Sequence, residues 1–123
     1  MSDAEPQWDL DAIRARLLAR RAELQADAAS SAETAAAVEL DQSRVGRLSR
    51  MDALQVQAMA QQSARQRAQE LRRIASALAR VEEDEFGCCV TCGGFIETGR
   101  LELDPSLPTC VGCARQAEQN SDE

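Results

Sequence analysis

Phe86-Gly87-Cys88-Cys89-Val90-Thr91-Cys92-Gly93-Gly94 and, further on, Cys110-Val111-Gly112-Cys113 decide how this chain folds. Cys89, Cys92, Cys110 and Cys113 form the pattern C-x2-C-x17-C-x2-C. Two C-x2-C pairs at such a separation are the spacing of a zinc site. The reason is geometric: each pair offers two thiolates from one side of a tight knuckle, and two knuckles complete a tetrahedron. Gly93 and Gly94 let backbone N–H groups turn toward the sulfurs. Four protein ligands leave no open position, so the expected role of the Zn2+, one per chain, is structural. Zinc binding contributes on the order of 10–16 kcal/mol in small modules. The competing reading is a set of reduced thiols that bind nothing, or a pair of redox disulfides. Cys88-x3-Cys92 is also an allowed ligand spacing, but Cys89 preserves the knuckle. Cys88 is then a spare thiol and the candidate redox residue.

Such a staple matters because the rest of the chain is poor in core-forming residues. Of 123 residues, 22 are Ala, only 23 are Leu, Ile, Val or Phe, and three are aromatic. That composition sits where a compact core becomes doubtful unless something else holds the chain. A large enzyme-like pocket is excluded on the same ground. There is no His, no Tyr and no Gly-rich phosphate loop, so the chain does not read as an enzyme. The net charge of −7 is unevenly spread: −5 over residues 1–43, +6 over 44–80 and −8 over 81–123. An acidic chain repels a nucleic-acid backbone, so a free-standing DNA binder is disfavoured. Every positive charge is Arg. The opening Met1-Ser2-Asp3-Ala4-Glu5 lacks the apolar run of a signal peptide, and no stretch approaches the ~20 apolar residues of a membrane span. A cytoplasmic location is expected, where clustered cysteines hold metal more often than disulfides.

Residues 1–9 read as a flexible polar tail, with Trp8 packing near a helix start. From Leu10 the apolar positions Ile13, Leu17, Leu24, Ala28, Ala35 and Val38 follow a helical period. Ser30 and Glu33 could cap a break, but Ala35-Ala36-Ala37 favours one continuous helix. The pattern lapses between Leu40 and Ser49, around Gly46. Ser49 with Asp52 then reads as a capping box opening a second helix from Arg50 to about Glu85. Its expected seam is Leu54, Ala58, Gln61, Ala64, Ala68, Leu71, Ala75 and Leu78, flanked by Ile74 and Val81. Two long helices joined by a short turn should form an antiparallel hairpin over residues 10–81, with its tip near 41–52. At ~1.5 Å per residue each arm is about 45–52 Å long. The fold class is therefore mainly α: a coiled-coil hairpin joined to a four-cysteine zinc finger over residues 82–118, then an acidic tail at 119–123. Ile96, Leu101 and Leu103 suggest a short hairpin or extended pair between the knuckles, Pro105 and Pro108 shape the return loop, and Ala114 to Gln119 suggest a short helix.

The run Val81-Glu82-Glu83-Asp84-Glu85-Phe86-Gly87, with Cys89-x2-Cys92-Gly93, Ile96, Arg100-Leu101-Glu102, Pro105 and Cys110-x2-Cys113, resembles the DksA/TraR family of bacterial regulators. The resemblance covers about residues 45–118. It implies a coiled-coil hairpin on a four-cysteine zinc finger. It also implies a transcription regulator that binds RNA polymerase through the secondary channel and modulates initiation without sequence-specific DNA contact. Some members act together with ppGpp, which makes a ppGpp site shared with polymerase part of what the resemblance implies.

At the tip this chain departs from the family pattern. Familiar members carry D-x-x-D-x-A there; counting back from Cys89 places Gly46, Ser49 and Met51 at those three positions. The tip is instead basic and apolar: Arg44, Val45, Arg47, Leu48, Arg50 and Met51, followed by Asp52. Arg beside exposed apolar side chains is interface-like. Arg44, Arg47, Leu48, Arg50, Met51 and Asp52 are therefore the candidate partner-binding residues, with helix capping as the plainer role of Asp52. The alternative to a polymerase regulator is a zinc-stapled coiled coil that binds a different protein.

Overall fold

The computed structural model describes residues 7–45 and 50–121, with side chains for 7–31 and 50–120. Arg47, Leu48, Gly46 and Ser49, the side chain of Arg44, and residues 122–123 of the acidic tail lie outside the described residues, so the Ser49 cap and half of the tip do too. Among the described residues four helices follow in order: α1 Leu10–Val45, α2 Arg50–Glu82, α3 Thr98–Leu103 and α4 Val111–Ser121. Among the described residues there is no strand, only one isolated antiparallel bridge between Cys88 and Phe95. No described helix is long and apolar enough to cross a membrane.

α1 starts where a side chain can satisfy its first free N–H groups. The Asp9 Oδ1 accepts the Ala12 N–H at 3.2 Å, and the Asp9 carbonyl accepts the Ile13 N–H at 3.0 Å. Asp9 is thus an N-cap, a role not expected from the sequence pattern. The helix runs through Ser30 unbroken. Continuity wins because good helix formers on both sides propagate more cheaply than a new nucleus forms.

α2 ends at Glu82, three residues before the expected Glu85, in a Schellman turn. The Glu85 N–H reaches the Arg80 carbonyl at 2.8 Å, and the Asp84 N–H reaches the Val81 carbonyl at 3.4 Å. Asp84 occupies the left-handed position, φ 57°, where glycine is the usual residue.

The chain divides into two compact units, one made of the residues up to Ala19 with those from Arg72 onward, the other of Arg20–Leu71. In the first, α1 buries Ile13 and Leu17 while α2 buries Ile74, Ala77 and Val81. This corrects the expected seam of α2: Ile74 and Val81 are in it, whereas Ala75 is exposed and Leu78 half-buried. A methyl group contributes too little area to set the phase of a helix against branched side chains one residue away. Arg14 of α1 meets Glu82 of α2, with Nη2 to Oε1 at 2.7 Å, and the Arg16 Nη2 donates to the Glu102 carbonyl at 3.0 Å.

In the second unit Leu24 is buried, 3% exposed. Arg20 of α1 grips Glu70 of α2 with two parallel hydrogen bonds, Nε to Oε2 at 2.7 Å and Nη2 to Oε1 at 3.0 Å, and also reaches Glu23. The hydrogen bonds to Glu70 and then Glu23 hold the guanidinium more firmly protonated than usual. Met51, Leu54, Val56 and Met59 of this unit are exposed.

Candidate metal centre

The segment after α2 is organised around Cys89. Its thiol-bearing residue is 2% exposed and clusters with Ile96 and Leu101; Trp8, Phe86, Leu107, Cys110 and Cys113 pack against them. The first knuckle closes by backbone hydrogen bonds: the Cys89 N–H donates to the Gly94 carbonyl at 2.7 Å and the Gly93 N–H returns to the Cys89 carbonyl at 3.0 Å. Gly93 sits at φ 78°, so a side chain there would be strained. The Gly94 N–H donates to the Cys92 Sγ at 3.4 Å, the contact that the two glycines suggested.

The second knuckle is a helix start. The Cys110 carbonyl accepts the Ala114 N–H at 3.0 Å, which puts Cys110 directly before α4 and Cys113 in its first turn. Its free Val111 N–H is capped from across the module by the Glu97 Oε1 at 3.1 Å. The residue's own N–H, and after it that bond, hold the Glu97 carboxyl below the usual carboxylate range. The two knuckles are tied by the Val90 N–H donating to the Pro108 carbonyl at 2.9 Å.

Between the knuckles the expected hairpin is absent. Residues 98–103 form the six-residue helix α3, which turns Leu101 into the core and leaves Leu103 86% exposed. Three apolar residues at uneven spacing do not separate a period of 2 from one of 3.6. The return loop then folds on Asp104, whose Oδ1 accepts from the Ser106 N–H at 3.0 Å and Oγ at 2.7 Å. The buried Ser106 is thereby satisfied. α4 reaches Ser121 rather than stopping at Gln119.

These elements bring the sulfurs of Cys89, Cys92, Cys110 and Cys113 all within 4.8 Å of one another. The Cys92 and Cys110 sulfurs are 3.9 Å apart. A tetrahedral centre with Zn–S bonds of ~2.3 Å needs sulfurs about 3.8 Å apart, so the donor set fits a zinc ion in number, type and spacing. None of the five cysteines is in a disulfide. The crowd of thiols shares its protons unequally. Burial pushes the Cys89 thiol up, but backbone hydrogen bonds from Cys92, Cys110 and Thr91 outweigh it and bring it down to about 6. Cys113 is pushed up to about 12, first by its hydrogen bond to Cys110 and then by that to Cys89. A dication among them would replace the shared protons as the positive charge.

Cys88 is outside this group. It is half-buried and pairs by its backbone with Phe95. Of the tip candidates with described side chains, Arg50, Met51 and Asp52 are exposed at the start of α2. Two structural residues were missed by the sequence reading, Glu97 as the cap of α4 and Asp9 as the cap of α1. An acidic residue directly before an apolar run could have indicated Asp9; nothing local could have paired Glu97 with a helix 14 residues later.

No family model matches the chain. RNA polymerase-binding transcription factor DksA of Escherichia coli strain K12 is 38% identical over 48 residues, 39% of this chain and 32% of that protein. The protein of the same name from Salmonella typhimurium matches to the same extent. The match thus spans about a third of the length of these relatives. The structure of transcription factor DksA2 from Pseudomonas aeruginosa superimposes with a TM-score of 0.62 at 25% identity, over 93% of this chain and 86% of that one. An RNA polymerase binding protein and transcriptional regulator, Dks from Chlamydia trachomatis L2, gives 0.58 at 20% identity over 94% and 95%, a likeness of fold. A mainly helical chain with a four-thiol module, an architecture like that of DksA2 over 86% of that chain and a 48-residue sequence match to DksA are what this chain shares with the DksA proteins.

Proposed function

We propose that this chain is a zinc-stapled transcription regulator that binds bacterial RNA polymerase. The observation that carries the reading is the sequence match to proteins named as RNA polymerase-binding transcription factors. The gathered thiols support it. Cys89, Cys92, Cys110 and Cys113 would hold one Zn2+, which supplies no chemistry beyond fixing the two knuckles together. Binding through the polymerase secondary channel, with modulation of initiation, is the finer form of the proposal. The net charge of −7 suits a protein that grips a protein surface rather than a DNA backbone. Arg44, Arg47, Leu48, Arg50, Met51 and Asp52 are the residues proposed to touch polymerase, and ppGpp shared with polymerase is a further expected co-ligand.

The test is a pull-down of purified bacterial core RNA polymerase by the full chain, zinc-loaded and after chelation. Retention by the loaded form and its loss on chelation is the expected result. A zinc-loaded, folded chain that retains no polymerase would overturn the reading and favour the zinc-stapled module with another partner. For the tip, Arg47→Ala together with Arg50→Ala should weaken retention several-fold; unchanged retention rejects those residues as contacts.

A further inference from the structure

The chain has one Trp and two Phe, and no Tyr. All three aromatic rings line a single cavity of about 280 Å³ in the unit that contains the thiols, together with Leu10, Cys88 and Asp84. Trp8 and Phe86 form two walls at right angles, ring centroids 5.4 Å apart and planes 88° from parallel. Phe95 is half exposed, 47%, although it belongs to the most apolar residue class of the chain. Trp8 and Phe86 thus pack with one side against the core of Cys89, Ile96 and Leu101 and, together with the exposed Phe95, leave ring surface around an opening.

The charge at this opening is negative. Asp84 follows the C-terminus of α2, the negative end of the helix dipole, inside the run Glu82-Glu83-Asp84-Glu85. Glu82 is engaged by Arg14, but the Asp84 carboxylate has no ion pair or hydrogen bond among the described residues. Aromatic faces attract cations through their quadrupole, and a carboxylate at the rim adds a charge-assisted acceptor. A neutral apolar guest would leave that carboxylate desolvated without a partner, and an anion would be repelled by it. The volume suits a side-chain head with a few methylenes and falls below that of a nucleotide-sized pocket. Among cations, a guanidinium uses every feature: its plane stacks on a ring face while its fork gives two N–H donors to one carboxylate.

We infer that the cavity walled by Trp8, Phe86 and Phe95, with Asp84 at its rim, is a binding site for a guanidinium group, as presented by an arginine side chain of a partner. The inference does not depend on the partner being RNA polymerase. It places recognition of a basic residue at the base of α2, in addition to the tip.

Trp8 is the chain's sole tryptophan and forms one wall, so its fluorescence reports directly on the cavity. The zinc-loaded full chain is titrated at low salt with N-acetyl-argininamide, with N-acetyl-citrullinamide as the uncharged isostere and ethylguanidinium as a free small guanidine. A saturable change in Trp8 emission with the arginine compound and none with the citrulline compound is expected. Tighter binding of N-acetyl-argininamide than of ethylguanidinium assigns the site to a peptide side chain, and equal binding assigns it to free guanidines; both support a guanidinium site. Asp84→Asn, which tolerates the same left-handed backbone, should weaken binding about tenfold or more, as loss of a charged hydrogen-bond acceptor does. Phe95→Ala removes an exposed wall and should weaken it in the same direction with zinc content unchanged. No saturable signal with either guanidinium, an equal response to the citrulline compound, or undiminished binding by Asp84→Asn would overturn the inference.

Discussion

Asp84→Gly separates what this residue costs the fold from what it does for a ligand. The residue sits at φ 57°, in a conformation that an L side chain adopts at a cost of ~1 kcal/mol or somewhat more, Asp being among the more tolerant types. Its charge lies against the free carbonyls at the end of α2, adding about 0.3 kcal/mol or more at an exposed site. Glycine removes both effects, while Asp84→Asn removes the charge and keeps a side chain in the left-handed region. The expected order of stability is Gly above Asn above Asp, with a total gain of ~1 kcal/mol for the Gly variant after its larger entropy loss on folding. For a chain of this size that is a rise in melting temperature of about 3–5 °C. Thermal unfolding followed by circular dichroism measures it, at saturating zinc, because metal loading itself shifts apparent stability. The same two variants should rank in the opposite order for guanidinium binding, below Asp84 itself. A Gly variant no more stable than the Asn variant would show that the left-handed backbone carries no strain at Asp84, and the reasoning would fail.

Cys89→Ser should lose its bound zinc by metal analysis, and Cys88→Ser should retain one equivalent; the reverse result would exchange the two in the ligand set. Ile74→Ala opens a hole at a fully buried site and should cost ~2–4 kcal/mol in denaturant unfolding, whereas Arg20→Ala, which removes a half-exposed ion pair, should cost no more than about 1 kcal/mol. A larger loss for Arg20→Ala would mean that polar contacts, not burial, hold the helices. Glu97 has a carboxyl held down by its own N–H and that of Val111, so its folded value lies below its unfolded one. Its contribution is therefore fully present above the unfolded value of about 4.3 and is lost as pH falls through the lowered folded value. Glu97→Gln should be the less stable protein at neutral pH, and a carboxyl-carbon NMR titration of Glu97 should give a midpoint below that of an ordinary Glu; a midpoint at or above it refutes the cap.

The cysteine spacing and the length of the helices were legible because each is written locally. Four thiols in two C-x2-C pairs allow few other chemistries, and α1 holds together across Ser30 because the residues on both sides favour helix. The phase of α2 was not legible in the same way. Ala75 and Ile74 both fit a helical period, and only the packing of α1 against α2 decides that the larger side chain goes inward. α3 escaped because six residues are too few for a periodicity to declare itself. The cavity was invisible for a different reason. Trp8 lies almost 80 residues before Phe86 in the sequence, and nothing short of the folded chain shows that the three aromatic residues line one cavity. Cys88 was singled out for its thiol, and its place beside those rings is a second feature that the sequence does not show.

The distribution of burial gives the two units different duties. Among the described apolar side chains, the unit containing the thiols buries Ile13, Leu17, Ile74, Ala77, Val81, Ile96 and Leu101, while Leu24 is the one buried in the unit Arg20–Leu71. The latter unit leans on Arg20 and Glu70, an ion pair that water can replace at little cost, and it leaves Met51, Leu54, Val56 and Met59 exposed. Among its described side chains the buried apolar area is therefore small, and burial is what sets the free energy of local opening. Binding to a partner surface is where such a segment would recover the burial it lacks alone, and the exposed methionines are suited to this because an unbranched thioether fits irregular surfaces. The thiol module has the opposite character. Its order rests on four sulfurs, a capped helix start and a tied return loop, none of which needs a partner. Four thiols spaced for a metal can hold the one unit without help, whereas the exposed apolar side chains described in the other are ones that only a partner would cover.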